Sequence, residues 1–92
     1  MDASNRQILR GTHSQKKALG RAIAGTRVTR GMEQEDLANR LGRSQEWVSR
    51  TERGEVALSA FEYARIASVL DIPPEVLLDL AWVGVPKKPS RS

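Results

Sequence analysis

The chain contains no cysteine, which excludes disulfide staples, thiol nucleophiles and cysteine-type zinc sites. That absence suits a reducing cytosol. Its single histidine, His13, stands in a polar stretch without companion ligands, so neither metal binding nor catalysis is expected of it. Aromatic residues make up only 4% of the sequence, which leaves the core to aliphatic packing. No apolar run approaches the ~20 residues of a membrane-spanning helix, and the first residues lack the apolar block of a secretory leader. No membrane partner is therefore expected. Neither a phosphate-binding glycine string nor a cluster of metal ligands is present, so the sequence reads as a non-enzyme that takes no cofactor.

What is present is a small basic domain. Ninety-two residues support one modest core, since a chain of this size buries a little over ~60% of its unfolded surface. The net charge is +4, and its distribution is uneven. Residues 1–31 carry seven basic side chains and one acidic, and Lys87, Lys88 and Arg91 near the end are unopposed. Residues 32–58 sum to −2 and residues 59–85 to −3. Basic ends around a mildly acidic middle suit a polyanionic partner or serve simple solubility.

Apolar periodicity divides the chain into five helices. Residues 1–13 read as a flexible arm, residues 14–83 as the folded domain, and residues 84–92 as a basic, disordered tail. Ser14 is the expected cap of a first helix running to about Arg30, with Leu19, Ala22, Ile23 and Thr26 on one face. Gly20 and Gly25 should weaken that helix, and Gly31 ends it. A second helix, Gln34–Leu41, turns Leu37, Ala38 and Leu41 inward behind an acidic start. Gly42 breaks it. Ser44 caps a third helix, Gln45–Arg53, that Gly54 ends. Ser59 and Glu62 form a capping box for a fourth helix with Tyr63, Ile66, Ala67 and Leu70 inward. Pro73 and Pro74 open a short fifth helix. The expected fold is an all-α five-helix bundle.

The break at Gly42 has a geometric meaning. Two short helices joined by a tight glycine-containing turn form a helix-turn-helix. Ala38 lets the two helices approach, Leu37 and Val48 pin them to the core, and the third helix projects one face. A helix presented this way fits a major groove ~12 Å wide.

From Leu19 to about Leu80 the sequence resembles the Cro/phage-repressor (XRE-type) helix-turn-helix domain, the lambda repressor-like class. The segments QEDLANRLG, SQEWVSRTERG and IASVLDI carry the likeness in a common register. The resemblance implies a sequence-specific transcriptional regulator that binds double-stranded DNA, acts as a homodimer on a palindromic operator as a repressor, with activation equally compatible with the residues, and works in the cytoplasm at a bacterial or phage-type nucleoid. It places Gln45, Glu46, Ser49 and Arg50 at base edges. Gln34 falls where the family contacts phosphate and buttresses the recognition helix. Arg27 and Glu52 fall at an ion pair between the first and third helices.

Side-chain chemistry points the same way for several of these positions. Gln pairs bidentately with adenine, Arg with guanine, and Glu accepts from the cytosine amino group. Glu46 equally suits orienting Arg50 or excluding wrong sequences. Lys16, Lys17, Arg43 and Arg53 suit sequence-independent phosphate contact. Ser44 at the helix start and the Trp47 indole N–H are further candidates, although Trp47 also suits packing.

Four departures from the family pattern stand out. The second helix is capped by Glu33 rather than Ser or Thr, and Thr26 and Thr51 occupy positions that are usually aliphatic. The loop Glu55–Leu58 lacks basic residues and offers Val56 and Leu58, which raises the alternative of a protein-interaction module or antitoxin whose partner docks on this loop or on the tail. Leu77, Leu80 and Trp82 suit either core or an exposed dimer patch.

Overall fold

The computed structural model describes residues 12–83; residues 1–11 of the expected arm 1–13, and the basic tail 84–92, lie outside the described residues. These contain five α-helices: α1 (His13–Thr29), α2 (Gln34–Leu41), α3 (Gln45–Glu52), α4 (Ala60–Val69) and α5 (Pro74–Val83).

The cap of α1 is Thr12, not Ser14. Its hydroxyl accepts from the Gln15 N–H at 3.1 Å, while Gln15 Oε1 accepts from the Thr12 N–H at 2.8 Å. A reciprocal box satisfies two end groups where Ser14 alone would satisfy one, so Ser14 and His13 fall inside the helix. Glu33 precedes α2, and Asp36 Oδ2 accepts from its N–H at 2.9 Å. Ser44 caps α3 by accepting from the Trp47 N–H at 3.1 Å. The Ser59–Glu62 box opens α4 in both directions, at 2.9 and 3.1 Å.

One ending recurs at four helices. After α3, the Gly54 N–H donates to the Thr51 carbonyl and the Glu55 N–H to that of Arg50, a pattern that requires a left-handed residue just past the helix. Gly54 supplies it at φ +80°, and Gly31 after α1 and Gly42 after α2 do the same at φ +73° and +69°. At the end of α4 the residue is Asp71, at φ +56°.

Ile23, Leu37, Val48, Ile66, Leu70 and Leu77 form the inaccessible centre. α1 packs on α5 and α3, and α2 packs on α3 and α4. Leu19, Ala22, Leu41 and Trp47 flank the core. The two threonines at usually aliphatic positions are both buried, and the Thr51 hydroxyl is satisfied by donating to the Trp47 carbonyl at 2.8 Å.

Gly20 is a point of close approach. A Cβ there would lie 2.3 Å from the Glu52 carbonyl oxygen, so a bare backbone on α1 lets the C-terminal end of α3 seat against it. The cost to helix propensity expected from the sequence is real, and it is the condition for this packing. Gly25, by contrast, has open space around its absent side chain.

Two polar ties close the far side. The Tyr63 hydroxyl donates to the Pro74 carbonyl, joining α4 to the start of α5. Arg30 donates from Nε to the Leu70 carbonyl at 2.8 Å and from Nη2 to that of Asp71 at 2.9 Å.

Candidate nucleic-acid interface

At about 100° per residue, α3 divides cleanly. Val48 and Thr51 point to the core, with Trp47 and Glu52 half-buried at the flanks. Gln45, Ser49, Arg53, Glu46 and Arg50 fill one contiguous outward arc, in that angular order. All are exposed except Ser49, which is intermediate. The expected base-reading residues therefore share one face, together with Arg53, which stands just past the last residue of α3 as its C-terminal cap.

Behind that face lies a hydrogen-bonded brace. Arg27 and Glu52 meet bidentately, Nε to Oε2 at 2.7 Å and Nη2 to Oε1 at 3.1 Å. Arg27 Nη1 also donates to the Met32 carbonyl at 2.7 Å. Gln34 Nε2 donates to Glu52 Oε1 at 2.8 Å, and Gln45 Nε2 donates to Gln34 Oε1 at 3.4 Å. One carboxylate thus ties α1, α2 and α3 together, and the chain of bonds ends on the first residue of the outward face. Hydrogen bonding to the Glu52 carboxylate holds the Arg27 guanidinium above its ordinary pKa, against the opposing effect of burial.

Other expected phosphate-contacting residues are distributed around this face. Ser44 is exposed at the start of α3, its hydroxyl engaged in capping. Gln34 has its side-chain amide turned to Glu52 and Gln45, the buttressing geometry rather than an open donor. Arg43 lies over the Trp47 ring at 4.5 Å and pairs with Glu62. Trp47 is half-buried beneath it and packed against the core. Lys17 is exposed on α1, and its backbone lies where a Cβ on Gly54 would fall, at 2.8 Å, which sets it beside the end of α3. Lys16 is half-buried.

The loop after α3 corrects one expectation. Leu58 is buried and Val56 packs against the same core, so these side chains fill their own bundle and do not offer an apolar landing site. Glu55 is a residue of this face absent from the expected set. Its carboxylate accepts from Arg53 Nε at 3.0 Å and Nη2 at 3.4 Å, and lies 3.6 Å from Arg50 Nε. The hydrogen bond from Arg53 holds the Glu55 carboxyl below its ordinary pKa. The signal was present in the sequence, because a glycine closing a helix in this way returns the next residue to the helix's last turn.

The alternatives for the last helix also resolve. Leu77 is core, whereas Val76, Leu78, Leu80 and Trp82 are exposed. Phe61, on α4 beside Arg43 and Trp47, is the most exposed large apolar side chain described, at 81%. Among the described residues no helix is long and apolar enough to cross a membrane.

A short helix held at a glycine turn, braced from behind and polar in front, defines a helix-turn-helix. The chain belongs to the helix-turn-helix domain family, whose model matches residues 18–80. Among solved structures it is similar to the clp gene regulator ClgR from C. glutamicum, with a TM-score of 0.76 and 25% identity over 78% of this chain and 92% of that one. It is also similar to the restriction-modification controller protein C.AhdI from Aeromonas hydrophila, with a TM-score of 0.65 and 30% identity over 72% and 98% of the two chains. A third likeness, to hydroxypropylphosphonic acid epoxidase from S. wedmorenis, has a TM-score of 0.68 and 28% identity over 72% of this chain but only 35% of the enzyme. No curated protein matches the chain. The arrangement of the five helices is that of the lambda repressor-like fold.

Proposed function

We propose that the protein is a DNA-binding transcriptional regulator that inserts the outward face of α3 into the major groove and acts as a homodimer on a palindromic operator, as a repressor. The observation that carries this reading is the contiguous polar arc Gln45, Glu46, Ser49 and Arg50, backed by the Arg27–Glu52–Gln34 brace that keeps α3 from tilting. Gln45 and Arg50 supply the bidentate donors that distinguish adenine and guanine. Arg53, within the face at the C-terminal end of α3, and Lys17 beside that end supply contacts to phosphate, with Lys16, Arg43, Ser44 and Trp47 at the margins.

One recognition helix reaches too few base pairs for useful specificity, so two copies should span half-sites about 34–36 Å apart. On α5 the exposed apolar side chains form two pairs a turn apart, Val76 with Leu80 and Leu78 with Trp82, and these are the surfaces offered for self-association. Regulators among the structural neighbours support the regulatory reading, and an enzymatic role has no support in the site.

The test is binding to a selected duplex and to random duplex across a salt series, wild type beside Arg50→Ala. Affinity should fall steeply with salt. Arg50→Ala should lose about 1–3 kcal/mol of discrimination while retaining most of its binding to random DNA. Weak binding in both proteins, independent of salt, would point to a protein partner.

A further inference from the structure

The outward face of α3 is electrically self-neutralised. Two guanidiniums, Arg50 and Arg53, stand between two carboxylates, Glu46 and Glu55. Arg53 is engaged on every side: Nε and Nη2 donate to Glu55, Nη1 donates to Ser49, and Glu46 lies 3.9 Å from Nη2. Arg50 meets Glu55 differently. The approach is through Nε, at 3.6 Å, and its terminal amino groups bond no other side chain among the described residues.

Glu55 does not reach this place on a loose loop. Its own N–H is bonded to the Arg50 carbonyl at 2.9 Å. The preceding Gly54 is buried, in a left-handed conformation, with its absent side chain 2.8 Å from the Lys17 backbone. The carboxylate is therefore delivered to the guanidiniums by a fixed turn.

We propose that Glu55 is a specificity-determining residue: an internal counter-ion that DNA phosphates must displace to reach Arg53, and that holds Arg50 by its Nε edge with its terminal amino groups free to meet a base. The inference rests on the DNA-binding reading above. Electrostatics gives the sign. A carboxylate beside a guanidinium occupies the position a phosphate oxygen would take and repels an arriving one. A guanine edge carries no net charge, and it meets the Nη pair of Arg50 without evicting Glu55. Binding to random sequence, which is nearly all phosphate contact, is thus penalised more than binding to the cognate site.

The experiment measures affinity for a selected duplex and for random duplex, from low to moderate salt. Wild type is compared with Glu55→Gln and with Glu75→Gln, which removes the same charge from α5, a helix packed on α1 and α4. Glu55→Gln is expected to tighten binding to random duplex by about three- to tenfold at low salt. It should also steepen the dependence of log K on log salt by about one, as one more phosphate contact releases its counterion. Affinity for the selected site should change less, so the ratio between the two falls. Glu75→Gln should stay within about twofold of wild type for both duplexes. An unchanged salt slope and an unchanged ratio in Glu55→Gln, or equal effects from both variants, would overturn the proposal while leaving the DNA-binding reading intact. Failure of wild type to bind either duplex would overturn that reading and this inference together.

Discussion

At the scale of the residue, Glu52 matters most to the fold. Its side chain is 7% exposed and serves Arg27 and Gln34 together. Removing it leaves a guanidinium at 12% exposure without its partner, and unpaired buried charge is what makes such truncations costly. Glu52→Ala is expected to lower stability by about 3 kcal/mol, read as a shift of the urea midpoint at unchanged slope. Glu52→Gln keeps an acceptor for Gln34 and should cost less. A second residue gives a pH signature. Burial pushes the Tyr63 hydroxyl from its ordinary value near 10 to about 12. The folded state therefore holds that proton more tightly than the unfolded chain does. The resulting stability is complete below pH 10 and is lost as pH rises from there toward about 12. Tyr63→Phe should remove that part of the alkaline decline in thermal midpoint. It also gives up the bond to the Pro74 carbonyl, so its stability at neutral pH should be lower.

At the scale of the element, two glycines of α1 separate packing from propensity. Gly20→Ala drives a methyl group into the backbone of α3, whose nearest atom is 2.3 Å away. Since that atom is main chain, the helices must part, and a loss of about 2–3 kcal/mol is expected. Gly25→Ala meets nothing within 4 Å and should gain up to about 1 kcal/mol from helix propensity alone. Opposite shifts in the thermal midpoints of the two variants are the check. The same pair shows what was legible beforehand. Helix number, the α2 boundaries and the turn at Gly42 follow from apolar spacing and caps, which are local signals. Both glycines read alike in sequence, because the reason for Gly20 lies on α3, more than thirty residues away. Ser14 and Thr12 are both cap residues by type, and what decides for Thr12 is Gln15 three residues on, which completes the reciprocal box. The outward face of α3 was legible as a set. The pairing of Arg43 with Glu62 joins residues nineteen apart and has no local signal, whereas the glycine that closes α3 does signal that Glu55 returns to Arg50 and Arg53. Val56 and Leu58 suit either a partner or the core in sequence, because a loop's apolar residues give no sign there of which side they face.

At the scale of the whole molecule, the bundle works as a platform. All five helices feed one core, α4 most heavily, and one carboxylate locks the three N-terminal helices. Among the described residues, the polar arc of α3, the apolar residues of α5 and Phe61 on α4 are exposed. If α5 carries self-association, replacing Leu80 and Trp82 together with Ser should shift sedimentation toward monomer. The substitutions lie at 50% and 63% exposure, so the helical circular dichroism should persist. Binding of the selected duplex would then weaken more than binding of a single half-site, since linkage between two recognition helices is what a palindrome rewards.

The central claim is that DNA meets this protein through the outward arc of α3, and amide chemical-shift mapping tests it directly. On titration with a duplex selected from a random pool, the largest perturbations should fall on Gln45, Glu46, Ser49, Arg50 and Arg53, with smaller ones at Lys17. Perturbations confined to α5 or to the surroundings of Phe61, with the α3 amides unmoved at saturation, would contradict the account.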